Sequence, residues 1–224
     1  WDVSLSVDYQ WNTLQSNMYN FVNPERHSLW IAAATALKIW RIRAQANVLA
    51  TYVYDNTHTP EGGKQCMRNE WNVTPACFLN YEVIKGLDVV AFYKQAFRMP
   101  TFNDLYYTDI GNVSLKPEMT TQYDVGAHYD KYWYSGFFRQ LSVKTDAYFN
   151  QVENKIIAVP KGNGQYRWMM MNIGYVEIMG CDVSLKTKMR FPYDVFLNVG
   201  LNYTYQQAHD MSDPTDNDPI YGTY

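Results

Sequence analysis

The stretch WDVSLSVDYQWN, residues 1–12, decides the fold class. Its odd positions read Trp, Val, Leu, Val, Tyr, Trp and its even positions Asp, Ser, Ser, Asp, Gln, Asn. Side chains alternate between the two faces of a strand, so this period of two describes a strand with one apolar and one polar face. Val195–Gln206 repeats the pattern, with Val195, Leu197, Val199, Leu201, Tyr203 and Tyr205 opposing Asn198, Gly200, Asn202, Thr204 and Gln206. Met119–Asp130 repeats it again, with Tyr123, Val125, Ala127 and Tyr129 opposing Gln122, Asp124, Gly126, His128 and Asp130.

Weaker alternation elsewhere predicts nine strands over about 1–12, 28–38, 42–55, 74–84, 87–97, 118–131, 137–150, 173–189 and 195–208. Most reach ten residues or more. Strands of soluble proteins average about five to six residues, whereas a tilted strand crossing a bilayer needs about nine to eleven. The connections also sort by length. Short turns are predicted at Trp40, Lys85–Gly86, Tyr132–Gly136 and Arg190–Asp194, and long loops at about 13–27, 56–73, 98–117 and 151–172. Short turns on one rim and long loops on the other describe an outer-membrane barrel.

Composition agrees. Aromatics reach 17% with 20 tyrosines, while charged residues make up 18%, below the roughly 25% of soluble domains. Mean hydropathy is still −0.40, and the longest uncharged apolar run, Leu29–Leu37, is too short for a spanning helix. A transmembrane barrel reconciles these values, because it shows apolar side chains to lipid and polar ones to its lumen. The aromatics fall at strand ends in two groups: Tyr9, Trp11, Tyr52, Tyr54, Phe97, Phe149, Tyr203 and Tyr205 near the long loops, and Trp40, Tyr129, Tyr132, Trp133, Tyr134, Phe137, Phe191 and Tyr193 near the short turns. Amphipathic rings form such belts at the two lipid–water interfaces.

Other classes find little support. The net charge of −3, with no basic cluster longer than Arg41–Arg43, argues against a nucleic-acid partner. No Gly-rich phosphate loop, Ser-His-Asp order or H-E-x-x-H appears, so no catalytic residue, metal ligand or cofactor site is assigned and the chain is not expected to be an enzyme. His27, His58, His128 and His209 are dispersed, with His27 and His58 in outer loops and His128 on a lumenal face. Three cysteines are too few for a disulfide framework. Cys77 and Cys181 fall in strands as small apolar residues; Cys66 falls in a loop, with a bridge to Cys77 left open.

The most specific segment is AFRMPTFNDLYYTDIGNVSLKPE, residues 96–118. Phe97, Arg98, Pro100, Thr101, Leu105, Tyr106 and Tyr107 form a first box, and Gly111, Asn112, Leu115, Pro117 and Glu118 a second. Pro100 cannot donate to a sheet ladder and should end its strand. Arg98 and Glu118 should then meet at the outer ends of neighbouring strands, and Asn103 and Asp104 occupy a turn or cap. Both boxes resemble the signature of TonB-dependent receptors, with Val113 where that family often has Pro. Val152–Ile157 followed by Asn172–Gly174 resembles the family's late-barrel strand pair.

The resemblance implies an all-β fold. Residues 1–224 would be part of a single large antiparallel barrel, about nine strands of a parent with roughly 22 and an N-terminal plug not in this chain. Lacking an initiator Met, a TonB box and a closing strand, the chain looks like a middle-to-late barrel portion. The resemblance further implies active uptake of a scarce nutrient (ferric siderophore, cobalamin or haem) across the outer membrane of a Gram-negative bacterium. Its partners would be the TonB complex, reached through the plug, outer-membrane lipid and a small chelated ligand, with a surface lipoprotein as a further candidate. Haem receptors of this family usually carry a His between the boxes; Thr101–Gly111 has none. Tyr166, Trp168, Met169, Met170 and Met171 form an apolar group in one outer loop and are the candidate ligand contacts. A passive porin or structural barrel is the alternative.

Overall fold

The computed structural model describes residues 1–17, 21–58, 67–107, 110–160 and 168–212. Nine antiparallel strands form one sheet in sequence order: β1 Asp2–Thr13, β2 Asn23–Ile39, β3 Ile42–His58, β4 Arg68–Ile84, β5 Leu87–Arg98, β6 Glu118–Tyr132, β7 Phe138–Pro160, β8 Trp168–Arg190 and β9 Phe196–Asp210. One helical turn, α1 Phe102–Tyr106, interrupts the loop between β5 and β6. β1 and β9 are edges of an unclosed sheet. Unpaired edge groups cost several kcal/mol each in hydrocarbon, so the wall belongs to a larger closed structure.

The register keeps one apolar face continuous across all nine strands. Val7 pairs with Ile31, Ile31 with Ala50 and Ala50 with Val73; farther on, Ala91 pairs with Val125, Val125 with Ala147 and Leu185 with Leu201. A slip of one residue would turn every member of such a row to the other side. Val125 sits mid-sheet yet is 60% exposed, as a lipid-facing residue should be when no lipid is counted. The opposite face carries Asp124, His128, Lys144, Asp146, Asp182 and Lys186. This polar face is the lumenal one.

Aromatic rings frame the lipid face. Tyr93, Tyr123 and Phe149 pack along one row, with centroids 5.3 and 6.4 Å apart. At the other rim Phe137 packs edge-on against both Phe138 and Phe191, each at 5.1 Å. Cys77 and Cys181 carry free thiols on the lipid-facing rows. The Lys85–Gly86 turn requires its glycine: φ is +89°, and a Cβ would stand 2.4 Å from the Asp130 carbonyl oxygen, which belongs to a residue whose own N–H donates to Gly86 O.

The outer ends of several strands run farther than the alternation predicts. β2 begins at Asn23 rather than 28, β4 at Arg68 rather than 74, β7 ends at Pro160 rather than 150, and β8 begins at Trp168 rather than 173. The predicted loops 13–27, 56–73 and 151–172 are correspondingly shorter. β7 and β8, at 23 residues each, are about twice the length a bilayer requires, so the hairpin projects beyond the outer interface. His27 is likewise a strand residue on the lipid face, not a loop residue; its ring stacks with Tyr9 and Trp11 and lies near Tyr54, and its Nδ1 hydrogen-bonds Tyr9 OH at 2.7 Å. His58 ends β3. Cys66 lies outside the described residues.

Candidate functional site

Among the described residues, the loop joining β5 to β6 is the most organised feature of the outer mouth. Pro100 is fully buried and ends β5. Thr101 caps α1: its hydroxyl accepts the Asp104 N–H at 3.2 Å, and Asp104 Oδ2 accepts the Thr101 N–H at 2.8 Å. This reciprocal capping box satisfies two amide donors that a helix start otherwise leaves open. Of Asn103 and Asp104, expected in a turn or cap, Asp104 completes the capping box from the third helical position, while Thr101 is the N-cap. Asn103 lies inside the helix, and its carbonyl accepts the Tyr107 N–H.

Four of the five residues of the second box, Gly111, Asn112, Leu115 and Glu118, have a visible physical task. At Gly111 a Cβ would stand 2.7 Å from Tyr107 N and 2.8 Å from the Leu105 carbonyl, so the chain can recross the helix end only without a side chain. Asn112 Oδ1 accepts the Ser114 N–H at 2.9 Å, closing a turn, while its Nδ2 donates to Met170 O at 3.0 Å. Met170 N–H in turn donates to Ile110 O at 2.9 Å. Leu115 is 1% exposed and joins Leu105, Tyr106 and Ile156 in a small apolar core, with Phe102, Val113 and Met170 against it.

Glu118 fastens the loop to the wall. Its Oε2 accepts Arg98 Nε–H at 2.5 Å, so the expected cross-strand pair is present. Its Oε1 accepts the Ile156 backbone N–H at 2.5 Å. β7 continues past the end of β6 here, and the carboxylate takes the place of a missing ladder partner. The Arg98 guanidinium, at the outer end of β5, is held above its ordinary pKa chiefly by its hydrogen bond to Glu118, against burial, with Asp104 adding a smaller attraction. Asn172 does for Lys116 what Glu118 does for Ile156. Its Oδ1 accepts Lys116 N–H at 2.8 Å, and its Nδ2 lies 3.1 Å from Lys116 O and 2.6 Å from Asn154 O. Asn154 has φ +54°, a backbone setting that asparagine tolerates better than most residues.

The loop lies on the lumenal side. Arg26 stacks on the Phe102 ring at 5.0 Å and makes a two-pronged pair with Asp55 at 2.6 and 2.7 Å, while Arg68 Nη2 donates to Val113 O at 3.3 Å. Arg26, Asp55 and Arg68 all belong to the polar face of β2–β4. The loop therefore bridges the lumen mouth from β2–β4 to β7–β8.

Among the candidate contacts, Trp168, Met169, Met170 and Met171 belong to the start of β8 rather than to a loop. They do not form one surface: Met170 packs into the small core, whereas Trp168 (49%) and Met171 (37%) are exposed. Tyr166 lies outside the described residues. Tyr107 is exposed beside this mouth. Sequence reasoning missed Arg26, Asp55 and Arg68, whereas Ile156 lies in the Val152–Ile157 run already singled out for its family resemblance. Asn172 carried a signal, since it opens the second segment of family resemblance.

The profile described as TonB dependent receptor-like, beta-barrel, matches residues 1–224. The chain belongs to this receptor β-barrel family. Two curated relatives of the TonB-dependent receptor barrel are the vitamin B12 transporter BtuB of Photobacterium profundum, 29% identical over 131 residues, and BtuB of Vibrio vulnificus, 29% identical over 119 residues. The matches cover 58% and 51% of this chain but 20% and 17% of those proteins, so the matched stretches span about a fifth of the relatives' length. Among solved structures, the copper transporter OprC aligns with a TM-score of 0.74 at 14% identity, covering 98% of this chain and 37% of that one. The FrpB iron transporter of Neisseria meningitidis (F3-3 variant) aligns at 0.64 and 13% identity, covering 92% and 33%. Identities this low speak for the fold: these strands are a wall segment of a TonB-dependent receptor barrel.

Proposed function

We propose that the chain forms wall and outer-mouth loops of a Gram-negative outer-membrane receptor that actively imports a scarce nutrient, with no bond-making chemistry of its own. The candidate nutrients are a ferric siderophore, cobalamin or haem. The observation that carries this reading is the loop of residues 99–117, folded inward and fastened at both ends over the lumen mouth. The relatives support the reading: proteins named for vitamin B12, copper and iron transport share this family or fold. Energy would reach the parent receptor through TonB and a lumen-filling plug, with lipid around the barrel and a surface lipoprotein as an accessory partner. The absence of His from Thr101–Gly111 ranks haem below the other chelates.

The test is growth of a strain lacking the full-length gene, with cobalamin, haem, a ferric siderophore or copper in turn as the limiting nutrient. A defect on one source, reversed by the wild-type gene and reproduced by removing TonB, is expected. Unchanged growth on all of them overturns the uptake reading in favour of a passive or structural barrel.

A further inference from the structure

Two neighbouring rows of the lipid-side face carry several small side chains. One runs Thr35, Ala46, Cys77, Tyr93, Tyr123, Phe149 and the next Leu37, Ala44, Leu79, Ala91, Val125, Ala147, both from β2 to β7. A groove of about 1040 Å³ follows them, and its lining is almost wholly apolar. Gln45, Phe78, Phe92, Asp124 and Tyr148, between the two rows, contribute main chain to its floor, since their side chains turn to the lumen. The Thr35 hydroxyl already accepts the Trp1 indole N–H at 2.7 Å and donates to Asp2 O at 3.2 Å, so hydrocarbon can cover it without stranding a donor. Five interstrand steps of about 4.8 Å give the groove a length of about 24 Å. Barrel strands tilt by about 35–45°, so a row running across them spans about 15 Å of depth, half of a hydrocarbon core about 30 Å thick. Leu37 and Ala44 pair beside the Trp40–Arg41 turn at the inner rim, whereas Ala147 stands mid-strand in β7, so the groove rises from the inner rim toward β7. Thr35, Ala44, Ala46, Cys77 and Ala91 make its floor at the inner end, and the Tyr93, Tyr123 and Phe149 rings wall the other end.

Charge distinguishes the two ends. At the inner rim Arg41 lies over the Trp40 ring at 4.8 Å, its Nη1 donates to Val83 O at 2.9 Å, and it joins no ion pair among the described residues. Lys85 marks the next turn of that rim, while Lys38, Arg43, Glu82 and Asp88 face the lumen. At the outer end, the lipid-side rows beyond Phe149 carry Gln151, Glu153 and Glu177, with Lys155 above them. An arginine stacked on a ring presents its remaining donors to a phosphate, and carboxylates repel one. Within hydrocarbon, van der Waals packing rather than water exclusion decides what stays bound, and a recessed alanine floor lets a chain make more contacts than an even wall does. Resting on the reading that this wall stands in an outer membrane, we infer that the groove is a phospholipid site. An acyl chain of an inner-leaflet phospholipid lies along it from Leu37 and Ala44 toward Ala147, and the phosphate meets Arg41.

Full-length receptor is reconstituted in phosphatidylethanolamine vesicles containing phosphatidylglycerol with a diazirine at the end of one acyl chain, irradiated, and its adducts mapped by mass spectrometry. Adducts are expected on Ala91, Val125 and Ala147 at least about tenfold more often than on Ile31, Leu185 and Leu201 of the same face, a ratio that about 1.4 kcal/mol of preference supplies. The excess should vanish in A46F/A91F, which fills the floor, and fall in R41Q. Even labelling of all six positions overturns the inference alone, and the wild-type map decides this even where A46F/A91F fails to insert. An excess unchanged in R41Q and competed away by lipopolysaccharide overturns it in favour of an outer-leaflet lipid. Cross-linked receptor pairs with an unlabelled groove overturn it in favour of a second copy of the receptor. Adducts on the lumenal positions Asp124 and Tyr148, or on no strand at all, overturn the membrane-wall reading as well.

Discussion

Replacing Glu118 with alanine should loosen the outer mouth without unfolding the wall. Glu118 serves two donors of unequal value. Arg98 is 48% exposed, and a pair this open contributes about 0–1 kcal/mol. The Ile156 N–H has no strand partner on its β6 side, because β6 begins at Glu118, and Ile156 itself is 8% exposed. Stranding such a donor costs about 1–3 kcal/mol. The sum is dominated by Ile156, and it falls on local opening of the β7–β8 extension rather than on the membrane-embedded ladder. At about 1.36 kcal/mol per decade, exchange of the Ile156 amide should speed up by about 5- to 150-fold. Glu118→Gln keeps an acceptor at Oε1 and should lose much less. Amide hydrogen exchange of full-length receptor in detergent, resolved to peptides covering 152–158, reads the difference. Unchanged exchange in E118A refutes the reasoning, as does equal acceleration in E118A and R98A, because the Arg98 pair would then be the part that matters.

Asp55→Ala should be more damaging than Arg98→Ala. Asp55 and Arg26 side chains are 2% and 12% exposed, and breaking a buried pair costs about 3–5 kcal/mol. Protease susceptibility of the outer loops on intact cells should rise sharply in D55A and little in R98A. Leu115→Ala removes the most buried member of the small core, at about 2–5 kcal/mol. It should free the 99–117 loop, read as faster exchange throughout that loop while β6 stays protected.

The membrane-crossing part of every strand was legible in the sequence, and the extensions were not, for one physical reason. Between two interfaces one face meets lipid and the other the lumen, so Val125 and Asp124 must alternate. Beyond the outer interface both faces meet water or other loops, and the alternation has no cause. Pro24 to His27, Arg68 to Val73 and Trp168 to Asn172 therefore read as loop although they are strand. The Arg98–Glu118 pair was legible because adjacent strand ends fix their own register. Arg26–Asp55 was not, because its neighbours on the same polar rows offer other pairings. Nor was Met170, whose partial burial depends on a helix separated from it by two strands, β6 and β7.

The account rests most on the claim that one face of this sheet meets lipid and the other a lumen. Single nitroxide labels placed at each position from 119 to 129 in full-length receptor, reconstituted in bilayers, test it along β6. Oxygen should reach positions 123, 125 and 127 preferentially, and a polar nickel reagent positions 122, 124 and 128, in strict alternation. Loss of the period of two, or its opposite phase with Asp124 and His128 in lipid, would contradict the barrel-wall assignment.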